Sequence, residues 1–255
     1  MTTDPASWER MLASMRVFFR EIGSATDGYR LVERDGVLAT VTPAVPDRSL
    51  PNSVVYESED ALEAALDELA RTYEDAGVSA WTVWTPRQHE RARGLLEGAG
   101  HALDADPSAM ILDLAEAEPP RPGDPEPDVE PQAADVGRIN DRAYGLTDAF
   151  TVLMGDGPLD RAHAYVARLD GEPVACVETR DHEGDCSIWE VAALPEARGR
   201  GLVSALMRRA LADGRERGCE VSTLQATKLG EPVYERLGYR RFGTIEMWER
   251  RRPAG

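Results

Sequence analysis

The sequence has little positive charge, and nearly all of that charge is arginine. Among 255 residues, 29 are basic and 46 acidic, which gives a net charge of −17 at pH 7, and Lys228 is the only lysine. Such an excess of acid repels phosphate backbones. We therefore expect no nucleic-acid partner.

Long apolar runs and cysteine pairs at metal-ligand spacing are also missing. No stretch approaches the roughly 18 apolar residues that a membrane span requires, and the first residues lack a basic start followed by an apolar run. Cys176, Cys186 and Cys219 show no C-x-x-C spacing and no histidine at ligand spacing. We expect a cytoplasmic protein with buried, reduced thiols and without a membrane partner, a disulfide framework or a metal.

A proline-rich acidic stretch divides the chain. Residues 116–131 contain six prolines among acidic residues and little that is apolar, a composition typical of a stiff linker. We therefore predict one domain over 1–115, a linker over 116–131 and a second domain over 132–255.

Strand and helix patterns alternate in both halves, which favours an α/β or α+β fold. Apolar spacing and turn residues predict helices over 6–22, 60–76, 87–98, 133–144, 148–154, 202–217 and 232–237. The predicted strands are 29–33, 37–42, 53–57, 80–84, 109–114, 163–169, 173–180, 186–194, 221–225 and 240–249.

The turn Arg198-Gly199-Arg200-Gly201-Leu202-Val203 lies between a predicted strand and a predicted helix. Glycine has no Cβ, so the backbone N–H groups of this turn can approach a phosphate, and a helix start offers unpaired N–H groups and a favourable dipole. Arg198 and Arg200 either add charge-assisted donors or are ordinary surface arginines. The turn predicts an anion site suited to a diphosphate.

Two motifs carry a family resemblance. The run 191–201, Val-Ala-Ala-Leu-Pro-Glu-Ala-Arg-Gly-Arg-Gly, resembles the acetyl-CoA motif R/Q-x-x-G-x-G/A of the GNAT N-acetyltransferase superfamily. Val203 stands where that motif has Gly or Ala. The run 225–239, which carries Tyr234 and closes in Leu-Gly-Tyr, resembles the second signature of the family.

The resemblance implies acetyl-CoA as co-substrate, no metal, and direct transfer of the acetyl group to an amine. The cofactor-binding residues that it implies are Val191, Ala192, Ala193, Arg198, Gly199, Arg200, Gly201, Leu202 and Val203. Ala193 would present the N–H that faces the thioester carbonyl. The alternative for Ala192 and Ala193 is ordinary packing within a strand.

Tyr234 occupies the position of the family's frequent general acid, which protonates the departing thiolate. The alternative is an aromatic packing residue whose hydroxyl meets water. Glu190 is the candidate general base, with Glu178 behind it, although strand carboxylates are commonly a solvent face. His163 and His182 are weaker candidates for the base.

The first half has the order of elements of a GNAT half but lacks the phosphate turn. Ser58-Glu59-Asp60 follows its corresponding strand, and these acids would repel a diphosphate. The resemblance thus implies a tandem protein, as in mycothiol synthase and its relatives. We expect two GNAT-like lobes, each a mixed, mostly antiparallel sheet flanked by helices, with a degenerate lobe that does not bind coenzyme A.

Two functions follow as hypotheses. The first is an acetyl-CoA-dependent N-acetyltransferase acting on a small-molecule amine, as a monomer or homodimer. The second is a catalytically silent acyl-CoA-binding or regulatory module on the same fold, because a fold alone does not establish activity. Lys228 and Arg236 are candidates for the 3′-phosphate of the cofactor, or simple surface cations.

Overall fold

The chain divides into two compact units in a computed structural model that describes residues 4–155 and 162–252. Unit 1 comprises Met1–Ala109 and Phe242–Gly255, and unit 2 comprises Met110–Arg241. The helices are α1 (Pro5–Glu21), α2 (Glu59–Asp75), α3 (Glu90–Gly98), α4 (Ala133–Tyr144), α5 (Ala149–Met154), α6 (Leu202–Glu216) and α7 (Glu231–Arg236), with a 3-10 turn at Pro195–Ala197.

The strands agree with the alternating pattern of the sequence. They are β1 (Arg30–Arg34), β2 (Val37–Val41), β3 (Ser53–Tyr56), β4 (Ala80–Pro86), β5 (Ala102–Ala105), β6 (Ser108–Asp113), β7 (His163–Leu169), β8 (Glu172–His182), β9 (Asp185–Ala193), β10 (Val221–Ala226) and β11 (Arg240–Arg251). The mixed α/β fold class, with mostly antiparallel strands flanked by helices, is confirmed. The prediction missed β5, a short strand with exposed side chains and so without an apolar pattern.

Unit 1 contains a sheet in the order β1-β2-β3-β4-β11, with β5 paired to β11. The β3–β4 pair is parallel, and the pairs β1–β2, β2–β3, β4–β11 and β5–β11 are antiparallel. The apolar faces of α2 and α3 contribute to a core that includes Leu62, Leu69, Leu96 and Val83. Burial of this apolar face stabilises the unit more than helix propensity does.

Unit 2 has the strand order β6-β10-β9-β8-β7. The pairs β7–β8 and β8–β9 are antiparallel, and β9–β10 is parallel. Helix α6 packs its buried stripe, which includes Leu206, Ala210 and Leu211, into the core of the unit. Cys186 is also part of this core, and all three cysteines are buried free thiols, as expected.

Helix α4 packs closely on the short helix α5. A Cβ at Gly137 of α4 would lie 2.7 Å from Thr151 Cα, so glycine permits this approach of two backbones. The Asp141 carboxylate accepts hydrogen bonds from Phe150 N at 2.8 Å and from Thr151 N at 3.0 Å. These bonds satisfy N–H groups at the start of α5 that have no partner within the helix.

The compact units have boundaries that differ from those of the predicted domains. The predicted second domain includes the strand over 240–249, whereas Phe242–Gly255 belongs to unit 1. The physical reason is the ladder from Ile245 to Arg251 of β11, which pairs with β4 in that unit. Such a ladder joins residues far apart in sequence and leaves no local signal.

The acidic proline-rich stretch is bonded to unit 2. Asp124 accepts two bonds from Arg208, at 2.9 and 2.5 Å, and Arg208 lowers the pKa of its carboxyl. Asp128 pairs with Val166 of β7 through their backbones and accepts from the guanidinium of Arg168. These contacts hold Asp124 and Asp128 against unit 2.

Across the described ranges, no helix is both long and apolar enough to cross a membrane.

Candidate active site

Strands β9 and β10 are joined at one end. Within the described residues, the backbone ladder between these parallel strands has one register pair, Val221–Asp185. Beside it, the Asp185 carboxylate accepts bonds from Thr223 N at 2.9 Å and from Thr223 Oγ1 at 2.6 Å. The later part of β9 therefore has an edge that β10 does not occupy with a backbone ladder.

The backbone of Ala193 is directed to this edge. Leu194 N donates to Val174 O of β8 at 2.9 Å, and Ala193 stands opposite Ala175 in the next register position. Because N–H groups alternate in direction along an antiparallel strand, the Ala193 N–H points away from β8 and toward the β10 side. This direction suits the predicted carbonyl-facing donor.

A β-bulge interrupts β9 just before that edge. The register pairs Cys176–Ala192 and Glu178–Trp189 leave two residues of β9 opposite one residue of β8. Glu190, the first of the two, has a φ of +48°, a conformation that non-glycine residues rarely adopt. Bulges of this kind redirect side chains, and backbone strain is common at functional sites.

The glycines in the turn before α6 adopt left-handed backbone conformations and face open space. Gly199 and Gly201 have φ values of +72° and +76°, and a Cβ at either would find no atom within 4 Å. The first turn of α6 holds no acidic residue, and Arg200 is exposed. Open space, free backbone approach and the positive end of a helix dipole fit a diphosphate.

The side chain of Arg198 binds backbone carbonyls and does not point into the open space at the turn. Its Nε donates to Ala193 O at 3.1 Å and its Nη2 to Ala143 O at 3.2 Å, so the guanidinium links the turn to the ends of β9 and α4. Leu202 is buried in the core of unit 2 and Val203 packs against it. These two residues therefore offer the site their backbone N–H groups and not their side chains.

Tyr234 lies on α7 with 8% of its surface exposed. Its ring packs edge-on against Tyr239, with the ring centroids 5.9 Å apart. Burial raises the pKa of its hydroxyl above the usual value of 10.0, and neighbouring Tyr144 raises it further. The Tyr144 hydroxyl donates to Val191 O at 3.2 Å, so the structure gathers Tyr234, Tyr144 and the predicted cofactor edge of β9.

Glu190 is half-buried and lies near other charged groups. Burial raises the pKa of its carboxyl to about 8; Arg180 opposes this rise and Asp141 adds to it. Glu178 is fully buried, accepts a hydrogen bond from Arg180 Nε at 2.9 Å and forms an ion pair with Arg180 Nη2 at 2.7 Å. A carboxyl with a pKa near the working pH is suited to general base catalysis.

Sequence reasoning missed Tyr144, Asp141 and Arg180. Tyr144 contacts a strand residue 47 positions away in the chain. The spacing of Glu178 and Arg180 is the signal that was available, because alternate residues of a strand share one face. An isolated pair of this kind is common on strand surfaces, and only burial distinguishes it.

The other candidates lie elsewhere. His163 is about half exposed and lies 3.8 Å from Asp181. Asp181 is three positions after Glu178 on β8, so the two side chains lie on opposite faces of the strand. Lys228 and Arg236 are exposed. His182 lies at the end of β8. Groups of three or more His, Cys, Asp or Glu that could hold a metal are not found in the part of the chain that the structure describes.

Unit 1 has a different arrangement at the corresponding place. Ser58 caps α2 by accepting from Ala61 N at 3.2 Å, and Glu59 of the first turn accepts from Ala92 N at 2.8 Å. The Tyr56 hydroxyl is hydrogen-bonded to His89 Nδ1 at 2.9 Å and so joins the end of β3 to the start of α3. The chain's own side chains thus occupy the end of this parallel pair.

Comparison with known proteins identifies the superfamily. Residues 126–239 match the model of the acetyltransferase (GNAT) family. The superfamily recognised from the sequence is therefore confirmed, and this region of the chain is a GNAT domain. No curated protein matches the sequence.

Solved structures share the fold at low sequence identity. A GCN5-related N-acetyltransferase from Kribbella flavida has a TM-score of 0.71 at 17% identity, covering 96% of this chain and 95% of that one. A GCN5-related N-acetyltransferase from Sphaerobacter thermophilus has a TM-score of 0.57 at 17% identity, covering 98% and 93%. A tandem GNAT protein from the clavulanic acid biosynthesis pathway has a TM-score of 0.56 at 14% identity, covering 99% and 97%. The likeness is one of fold.

The raised pKa of Glu190 predicts how Glu190→Gln changes stability with pH. The folded-state pKa of about 8 exceeds the ordinary value of 4.5, so the native state keeps a proton that the unfolded state loses between these values. Wild-type stability attributable to this proton is full below 4.5 and is lost as pH rises through 8. In urea unfolding, the Gln variant should gain on the wild type as pH rises from 5 to 8.5. A difference that stays constant over this range would contradict the assignment.

Proposed function

We propose that this protein is an acetyl-CoA-dependent N-acetyltransferase that acetylates a primary amine of a small-molecule acceptor. The observation that carries the proposal is the pair of left-handed glycines at the start of α6, which face open space and follow the strand edge of Ala193 after one short 3-10 turn. Membership of residues 126–239 in the GNAT family supports the same reading.

The proposed roles follow the geometry of unit 2. The N–H groups of 199–203 would bind the diphosphate, with the exposed Arg200 as an additional donor. Acetyl-CoA, when bound, supplies the thioester that an amine attacks. The Ala193 N–H would polarise the carbonyl, because a positioned donor stabilises the negative charge that develops on its oxygen.

Two side chains would manage protons. Glu190 takes the proton from the acceptor ammonium, directly or through a water, because its pKa of about 8 lies close to that of an amine and to working pH. Tyr234 gives its proton to the departing thiolate and regains one from the attacking nitrogen, which must lose a second proton to become an amide. Its raised pKa keeps the hydroxyl protonated throughout the working range. Tyr144, bonded to Val191 O, is a neighbour of both groups.

The charges around Glu190 also suit the acceptor. Glu178, Glu190 and Asp141 lie near one another, and Arg180 offsets one of these carboxylates. An acidic surrounding attracts an amine in its protonated form. We propose a cationic amine as the form that binds.

Tyr234→Phe should lower kcat at least about tenfold, since general acids contribute about 100-fold or more, and should leave the affinity for coenzyme A unchanged. Release of free thiol from acetyl-CoA over a panel of amines measures turnover, and calorimetry measures affinity. Tyr165→Phe is the matched control, because its hydroxyl is bonded to Arg217 and lies apart from the predicted site.

Two outcomes of that experiment bear on the function itself. Unchanged turnover in the Phe variant would exclude Tyr234 as the acid. Coenzyme A binding by the wild type without turnover of any amine would instead favour the silent acyl-CoA-binding module.

Gly201→Ala should weaken binding of coenzyme A about tenfold or more. The new Cβ strains a residue that needs positive φ, by about 1–2 kcal/mol, and screens N–H groups at the helix start. Gly218→Ala is the matched control, because Gly218 also has positive φ, +99°, with no atom within 4 Å of its Cβ position, at the other end of the same helix. Both variants should lose comparable stability in urea unfolding. Equal coenzyme A affinity in the two variants would contradict the proposed anion site.

A further inference from the structure

One face of β8 carries a charged pair that the proposed reaction does not use directly. Cys176 faces α4, since Asn140 Nδ2 of that helix donates to its sulfur at 3.4 Å. Alternate residues of a strand share a face, so Glu178 and Arg180 lie on the same side. The bulge at Glu190 is in the adjacent strand.

The pair is almost completely removed from solvent. The side chain of Glu178 is 0% exposed and that of Arg180 is 7% exposed. Arg180 Nε donates to Oε1 of Glu178 at 2.9 Å, and Arg180 Nη2 lies 2.7 Å from the same oxygen. The other oxygen, Oε2, is buried and has no hydrogen-bond partner in the described chain. A carboxylate with one oxygen unpartnered in a buried site is poorly stabilised in its ionised form.

Glu190 is electrostatically tied to both members of the pair. Glu190 is the charged neighbour that, after burial, raises the pKa of Glu178, and Arg180 is the one that opposes the rise at Glu190. Burial lowers the pKa of Arg180 to about 10, and Glu190 counteracts this change. The three groups therefore influence one another's ionisation, and their titration belongs to the set.

The remaining titratable groups around Glu190 are committed to other contacts. Asp141 of α4 accepts hydrogen bonds from two N–H groups at the start of α5. Tyr144 of α4 donates to Val191 O, Cys176 of β8 donates to Glu190 O at 3.1 Å, and Arg198 donates to two backbone carbonyls. Of these groups, Asp141 brings a further negative charge toward the set.

The charge count of the set is unbalanced. Two carboxylates share one guanidinium in a buried place, so ionising both leaves a net negative charge that Asp141 repels. Binding one proton makes the set neutral. We propose that Glu178, Arg180 and Glu190 form one titrating unit that holds a single proton at neutral pH, with Glu178 and Arg180 acting as positioning residues for that proton.

The consequence for the reaction rests on the proposed function of Glu190. Glu190 would accept a proton from the amine only after the three groups together have lost one. Glu178 and Arg180 therefore set the pH at which the amine can be deprotonated. Removing Glu178 leaves one carboxylate beside one guanidinium, which stays ionised to lower pH. Removing the charge of Arg180 leaves two carboxylates without a cation, which hold their shared proton to higher pH.

The test measures the ionisation of Glu190 directly. Carboxyl carbons of ¹³C-labelled glutamate are followed by NMR from pH 5 to 10 without substrates, and the Glu190 signal is assigned by its loss in Glu190→Gln. We expect Glu178→Gln to lower the apparent pKa of Glu190, and Arg180→Met to raise it, each by about 1 unit or more, as a charge within about 4–6 Å does. The double variant Glu178→Gln with Arg180→Met should fall between them.

Controls separate charge from damage to the fold. Glu172→Gln removes an exposed carboxylate from the same strand, six residues away, and should move the apparent pKa by less than about 0.3 unit, since solvent screens exposed charges. Circular dichroism checks the fold of each variant. Should Arg180→Met fail to fold, Glu178→Gln decides alone, because Glu190 is there to pair with Arg180.

The outcomes distinguish this inference from the proposed function. Titration of Glu190 that is unmoved by Glu178→Gln, or moved upward by it, overturns the three-group unit. If the NMR titrations move as expected while the pH profile of kcat/KM does not follow them, the coupling of the three groups is supported and Glu190 is not the base.

Discussion

The Asp185 carboxylate is the contact on which the open end of unit 2 depends. It binds the backbone and hydroxyl of Thr223 and so fixes β9 against β10 at their first residues, where the two strands also share their backbone register pair. The bulge at Glu190, the outward N–H of Ala193 and the turn into α6 lie at or just beyond the other end of β9. Strands paired along their full length would close this edge with backbone hydrogen bonds.

Each unit contains a pair of parallel strands, β3–β4 in unit 1 and β9–β10 in unit 2, and the turns at the ends of these pairs differ. In unit 2, the turn after β9 has glycines in the left-handed region and no acidic residue at the helix start. In unit 1, the turn after β3 has Ser58 as a side-chain cap, acids in the first turn of α2, and the Tyr56–His89 bond across the strand ends. Helix N-termini favour anions in both units, but in unit 1 the protein's own side chains supply them.

Local patterns predicted most helices and strands, because the apolar spacing that marks each one lies among residues close together in the sequence. Helix α4 is predicted over the same residues that it occupies, 133–144, and α1 and α6 to within about a residue. The glycine turn and Tyr234 could be found because their motifs are contiguous. The membership of β11 in unit 1 was not predictable in this way, since its ladder with β4 joins residues more than 150 positions apart.

The site's electrostatics were equally beyond the sequence. The sequence offers Glu190 and, behind it, Glu178 as candidate bases. It does not show that Glu178 is fully buried on Arg180 or that Glu190 is half-buried at a bulge. Likewise, Arg198 matches the anion motif in sequence, and its bonds to Ala193 O and Ala143 O appear only once α4 and β9 are packed together.

The central claim is that the backbone amides at the start of α6 receive coenzyme A. Titration of ¹⁵N-labelled protein with coenzyme A, followed through the backbone amide resonances, tests it most directly. The account predicts the largest shifts at 199–203 and Ala193, with Ser58–Ala61 of unit 1 unmoved. Saturable shifts centred on Ser58–Ala61, or no shift at 199–203, would contradict it.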